Sequence, residues 1–236
     1  MTNVLGDKKH RPDVIGLAEF QEMYRVLVGA EGHSYYVKRN LAILCLLWLT
    51  GKRAEEVASV NLHTIEATRD TLDVAFVVGK KRVIARHSTR IKSIPLEDPY
   101  AKPVLEYYNH MMDHHADCSY LFPSTRYSNL NHTVTLDPDR HLSRTTVWRV
   151  VVSASEEAWP HLFRETVGAR VVKRHGQTIV SLFAVKRRLD LERLDTAMRY
   201  LDRYVGERME LSAPLDLAAS VEPILEPDKE SKDEHI

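Results

Sequence analysis

Cysteine is scarce in this chain: Cys45 and Cys118 are the two present among 236 residues. Cys45 stands inside an apolar run and Cys118 follows a polar segment. Neither setting fits a disulfide scaffold, so a reducing compartment is expected. Long hydrophobic runs are missing as well. The longest, Leu41 to Leu49, has about half the length of a bilayer-spanning helix. The opening MTNVLGDKKHRPDV holds no apolar stretch of signal-peptide type. These gaps argue against a membrane or secreted protein and for a soluble, cytoplasmic one. No internal repeat or low-complexity tract is present, which sets repeat architectures aside.

Net charge is also missing, with 33 basic and 33 acidic residues, but the balance hides an asymmetry. From Glu207 onward nine Asp and Glu face three Lys and Arg, whereas residues 1–206 hold 30 basic and 24 acidic residues. Between His161 and Arg203 ten Lys and Arg stand against five Asp and Glu. A basic body with an acidic tail suits a polyanion-binding surface for which the tail could compete. A solvated charged surface followed by a disordered tail accounts for the same counts.

What is there reads as one mostly helical domain. Residues 1–13 look like a disordered lead-in, and 207–236, with prolines and many charges, like an acidic, largely disordered tail. Between them, Leu17, Phe20, Met23, Tyr24 and Leu27 recur at helical spacing over 14–30. Residues 35–50 form a strongly apolar helix that Gly51 ends, and 53–62 a second, short one. TLDVAFVV, RVIAR and IKSIPL within 71–96 predict a small antiparallel sheet of two or three strands. Helix returns over 99–115. Residues 121–142, with Pro123, Asn129, Asn131 and Pro138, read as a loop-rich connection. Ser143 caps a helix over about 144–157, and three more helices follow over 161–174, 177–189 and 193–205. The expected class is mainly α with one small antiparallel β-sheet, an α+β fold over 14–206.

Three local patterns fall in order on this frame. Thr50-Gly51-Lys52-Arg53-Ala54-Glu55-Glu56 puts an arginine just past a helix end, with a carboxylate three residues on. Val78-Gly79-Lys80-Lys81 ends a strand whose hairpin closes on Ile94-Pro95-Leu96. Pro160-His161-Leu162-Phe163-Arg164 is followed 36 residues later by Met198-Arg199-Tyr200-Leu201. The set resembles the tyrosine recombinases of the phage integrase family. Their signature is an arginine in Gly-x-Arg-x-x-Glu, a hairpin lysine, a His-x-x-Arg helix and a terminal tyrosine. Leu121-Phe122-Pro123-Ser124 and Thr196-Ala197-Met198-Arg199-Tyr200 resemble two further segments of that family. The likeness runs over about 14–205.

The resemblance implies the catalytic-domain fold of DNA breaking-rejoining enzymes, and site-specific cleavage and rejoining of double-stranded DNA through a covalent 3′-phosphotyrosyl link. It implies a homo-oligomer on DNA and no metal or nucleotide cofactor. Tyr200 would be the nucleophile. Arg53 and Arg164 would hold the non-bridging oxygens with always-charged forks. His161 would assist proton transfer, and Glu56 would orient Arg53 or His161. Lys80 would protonate the departing 5′-oxygen, with Lys81 and then Lys92 as alternatives. Lys81, Lys92, Arg144, Lys186, Arg187 and Arg188 would contact DNA. Two positions depart from the pattern. Leu191 stands nine residues before Tyr200, where the family places a histidine or tryptophan donor in a Gly-His turn. Glu165 follows Arg164 where a histidine is common. Lys186, Arg187 or Arg188 could supply the missing donor. With the family's helical DNA-clamp domain expected to be missing ahead of residue 14, another protein could supply it.

Plainer readings stand beside these. Arg53 could cap a helix end, Lys80 and Lys81 could be turn residues, and His161 a structural histidine. Tyr200 could be a core aromatic, since Leu194, Ala197, Tyr200 and Leu201 share a helical stripe, and Tyr204 is the rival nucleophile. His110 and His114, one helical turn apart near His115 and Cys118, have a spacing that can bind zinc but more often is solvated. Two other functions therefore stay open: a DNA-binding protein of the same fold with reduced or lost catalysis, and a helical interaction or metal-binding domain that touches no DNA.

Overall fold

A central helix organises the protein. In the computed structural model, which describes residues 13–78, 88–128, 133–176 and 178–204, α2 (Ser34–Thr50) is buried along its whole second half. Every residue from Ala42 to Leu47 is fully inaccessible. A helix apolar all round has to be covered on all sides. Helix α1 (Leu17–Val28) covers one side: Phe20 stacks on Trp48 with centroids 3.9 Å apart, and Tyr100 meets Phe20 edge-on at 4.9 Å. Helix α4 (Ala101–His114) covers another, where Tyr107 stacks on Phe122 at 5.5 Å and its hydroxyl donates to Tyr35 at 3.0 Å. Helices α5 (Arg144–Ala154) and α6 (Pro160–His175) complete the shell through Val147, Val151, Leu162 and Phe163. Ser143 caps α5 as expected, its hydroxyl accepting from Thr146 N at 3.2 Å.

The sheet consists of β1 (Ile65–Ala67), β2 (Thr71–Val78) and β3 (Ser88–Pro95), antiparallel in sequence order. Leu72, Val74 and Phe76 alternate onto its buried face. Their partners across the ladder are Ile94, Lys92 and Arg90, which share that face. A lysine at the second of these positions is therefore turned inward by register alone.

The connection over 121–142 is not a loop. It forms a second antiparallel pair, β4 (Pro123–Ser128) and β5 (Thr133–His141), with an irregularity beside Pro123. Both strands of a two-stranded ribbon are edges, where proline and polar side chains are tolerated. Pro123 and Pro138 are compatible with that position, so the described residues hold two small sheets rather than one, and Asn129 and Asn131 lie outside the described residues.

A second, smaller core joins α6 to α7 (Ile179–Arg188) and α8 (Leu194–Tyr204): Val167, Val172, Val185, Leu189, Leu191, Ala197 and Tyr200. The chain ahead of α1 is tied to this region. Ile15 N donates to Thr166 Oγ1 at 2.8 Å, and the same hydroxyl donates to Leu162 O at 2.8 Å, all of it buried. Thr166→Val keeps the shape but orphans the Ile15 amide, which costs about 1–3 kcal/mol. The expected result in urea denaturation is a lower midpoint at an unchanged slope. An unchanged midpoint contradicts the bond.

Among the described residues no helix is long and apolar enough to cross a membrane. The lead-in to residue 12 and the tail over 207–236 lie outside the described residues, as do Lys80 and Lys81.

Candidate active site

The end of α2 builds one wall. Gly51 is left-handed (φ 63°) and its N–H closes onto Leu47 O at 2.9 Å, a glycine helix stop. A Cβ there would stand 2.9 Å from Val167 Cβ, so space as well as backbone demands glycine. The turn delivers Lys52 and Arg53 to opposite environments. Arg53 begins α3 (Ala54–Ala58) with its guanidinium half exposed. Glu56 holds it twice, accepting from Arg53 N at 3.1 Å and from Arg53 Nη1 at 2.8 Å. Glu56 thus orients Arg53.

Helix α6 builds the opposite wall. His161, Arg164, Glu165 and Gly168 follow at helical spacing and share one side of it. Arg164 is 2% exposed. Its Nη1 donates to Gly51 O at 3.0 Å and its Nη2 to Leu189 O, fixing the fork between the ends of α2 and α7. Burial and the neighbouring Arg53 cation lower its pKa, while Tyr200 and Glu56 oppose that shift. The two guanidinium charges thus oppose each other, with Glu56 offsetting part of the effect.

Tyr200 projects from α8 into the same place. Its ring packs against Gly168, where a Cβ would approach ring carbon Cδ1 to 2.3 Å. Tyr200 belongs to the smaller core and is 6% exposed, as a core aromatic would be, while its hydroxyl reaches Glu165. Burial and Glu165 raise the phenol pKa, and the Arg164 cation pulls it down. The hydroxyl donates to Glu165 Oε1 at 3.4 Å, and His161 Nε2 lies 3.1 Å from that same oxygen. Tyr204 OH donates to Glu165 Oε2 at 3.0 Å. Arg53 thus meets Glu56, His161 and Tyr200 meet at Glu165, and Arg164 is held between Gly51 O and Leu189 O.

Behind the site lies a buried charge cluster that sequence reasoning missed. Lys52, 1% exposed, donates to Asp190 Oδ2 at 2.7 Å and lies 4.6 Å from the centroid of the Phe76 ring. Lys92 donates to the other oxygen of Asp190 at 2.9 Å and to Arg187 O at 3.0 Å. Burial alone would raise the Asp190 carboxyl, but the hydrogen bonds and charges of Lys52 and Lys92 outweigh it and hold it below the ordinary value. Asp190 has φ 50°, rare outside glycine and tolerated by aspartate. It occupies the place of the glycine in the Gly-His turn. The one available signal was that departure, Asp190-Leu191. Lys92, third choice for the acid, is engaged in this cluster.

Leu191 packs into the smaller core. Of the three substitutes, Arg188 donates to Leu49 O at 2.7 Å, a tie to the end of α2. Lys186 and Arg187 line a cleft of about 830 Å³ between β3 and α7, together with Arg90. A second cleft of about 690 Å³ carries Arg126, Arg140, His141 and Arg144 beside the start of α5. Arg144 was expected to contact DNA; Arg126 and Arg140 escaped notice because their hairpin read as loop. His110 and His114 face each other tilted by 34°, with centroids 4.7 Å apart. Among the described residues no cluster of three or more His, Cys, Asp or Glu could hold a metal.

Two crystal structures of a XerH site-specific recombinase share this fold. The pre-cleavage complex bound to difH substrate is 13% identical with a TM-score of 0.59, covering 80% of this chain and 50% of that one. The post-cleavage complex bound to palindromic difH substrate is 15% identical with a TM-score of 0.59, covering 82% and 50%. The chain thus spans about half the length of these recombinases. No curated protein sequence matches it. The model of the phage integrase family matches residues 20–206, the same stretch that holds Arg53, His161, Arg164 and Tyr200, and the chain belongs to that family, the tyrosine recombinases.

Proposed function

We propose that this chain is the catalytic domain of a site-specific recombinase that cleaves and rejoins double-stranded DNA through Tyr200. The observation that carries the reading is the buried, doubly anchored Arg164 beside the Tyr200 hydroxyl, with Arg53 nearby. A phosphodiester seated on the two guanidinium groups would relieve their mutual repulsion. It would also present phosphorus to the phenol. As the Tyr200 oxygen bonds to phosphorus, charge grows on the non-bridging oxygens, where fixed cations stabilise it most. The bond from phosphorus to the 5′-oxygen breaks, and that oxygen takes a proton from Lys80. The 3′-phosphotyrosyl link keeps the bond energy for rejoining. Lys186 and Arg187 in one cleft, and Arg126, Arg140 and Arg144 in the other, would bind the DNA backbone. The XerH structures are recombinases on DNA substrates, which supports the same substrate class here. Strand exchange between two duplexes calls for a homo-oligomer.

The test is covalent capture on a pool of nicked duplexes with partly randomised sequence. Wild-type protein is expected to form a denaturant-resistant adduct. Tyr200→Phe loses it entirely, and Arg53→Ala slows it about 10²–10³-fold, as removal of one preorganised donor does. An adduct that survives Tyr200→Phe overturns the assignment. The second reading, a DNA-binding protein without efficient catalysis, is favoured by the apolar Leu191 at the donor position. It predicts salt-dependent binding with no adduct.

A further inference from the structure

We infer that Glu165 is the group that takes the proton from Tyr200 as its oxygen attacks. The inference rests on the recombinase reading above. Histidine, the residue expected to assist at the nucleophile, does not meet the phenol directly. Glu165 Oε1 stands between them, 3.4 Å from the Tyr200 oxygen and 3.1 Å from His161 Nε2. His161 is mostly exposed at 61% of its side chain, whereas Glu165 is 16% exposed. The carboxylate is thus the better shielded group, and it alone touches the reacting oxygen of the pair.

Its surroundings decide how strong a base it is. His161 faces it from α6; Tyr200, Tyr204 and Arg203 face it from α8, the last at 3.5 Å. Asp13, ahead of α1, holds Arg203 and accepts from Tyr204 through its carbonyl. Burial raises the Glu165 pKa, but the hydrogen bonds of His161 and Tyr204, aided by Arg203, bring it below the ordinary carboxylate value. In the free protein Glu165 is therefore a weak base and Tyr200 a reluctant acid. A phosphodiester arriving at Arg164, one residue away, adds a like charge and raises a neighbouring carboxyl pKa. Substrate binding itself would strengthen the base. The step balances: the Tyr200 oxygen–phosphorus bond forms, its proton moves to Glu165 Oε1, and the bond to the 5′-oxygen breaks with protonation by Lys80. Rejoining reverses each transfer, and Glu165 returns the proton to Tyr200.

The substitution Glu165→Gln keeps size and one acceptor but cannot take a proton. Single-turnover adduct formation should slow at least about 10²-fold, the lower end for loss of a general base, with DNA affinity retained. The wild-type rate should climb with pH through the carboxylate range and then level. The variant should instead keep climbing toward the range where the phenol ionises unaided. A variant within about threefold of wild type, or faster, overturns the inference while leaving the recombinase reading intact. Failure of the wild type to form any adduct sinks both. A second measurement needs no turnover and no variant fold: the Glu165 carboxyl carbon is titrated by NMR in wild-type protein with and without duplex DNA. An upward shift with DNA supports the role, and an unmoved or lower value overturns it.

Discussion

Asp190→Ala is expected to destabilise the protein by about 3–5 kcal/mol, the range for removing one partner of a buried ion cluster. Lys52 and Lys92 would lose their shared anion at 1% and 10% side-chain exposure, leaving Lys52 only Glu56 Oε2 at 3.9 Å and Lys92 a buried ammonium that burial already disfavours. The loss also reaches the site. Leu189 O, which fixes Arg164, is the residue before Asp190, and Lys92 ties Arg187 O to the same turn. Asp190→Asn separates charge from backbone, because asparagine also tolerates φ near 50°. The acid dependence follows from the depressed Asp190 pKa. Its contribution is fully present above the ordinary value of 3.8 and is lost as pH falls through the lower, folded-state value. Denaturant midpoints of wild type and Asp190→Ala should thus lie far apart at neutral pH and converge in strong acid. Equal stabilities at neutral pH contradict the cluster's role.

Gly168→Ala is expected to remove activity while leaving most of the fold. The new Cβ would lie 2.3 Å and 2.5 Å from two carbons of the Tyr200 ring, so the ring must move. A misplacement of about 1 Å at a reacting group costs on the order of 10²-fold. Overpacking costs about 1–3 kcal/mol, but alanine recovers about 1 kcal/mol in helix propensity over glycine. Adduct formation should therefore fall at least about 10²-fold while the denaturant midpoint moves little. Wild-type adduct formation in this variant contradicts the placement of the ring.

The sequence was legible where one element decides the outcome. The all-round apolar pattern of α2, the Ser143 cap and the β-branched run of β2 each act locally, and each element formed where expected. The order of Arg53, His161, Arg164 and Tyr200 was legible as the family's pattern, and the family model matches the stretch that holds them. The β4–β5 ribbon stayed hidden because two edge strands need no apolar alternation and tolerate proline. The Lys52–Asp190–Lys92 cluster stayed hidden for another reason. Its members lie 138 and 98 residues apart, and their partnership exists only after the ends of α2, β3 and α7 converge. Glu165 was visible as a departure from the family pattern, but its contact with Tyr200 depends on how α8 packs on α6.

The most direct test of the account is to locate the covalent link itself. Wild-type protein trapped on the nicked duplex pool is digested, and the nucleotide-bearing peptide is sequenced by mass spectrometry. The expected result is a phosphodiester on the hydroxyl of Tyr200. A link on Tyr204 or on any other residue contradicts it.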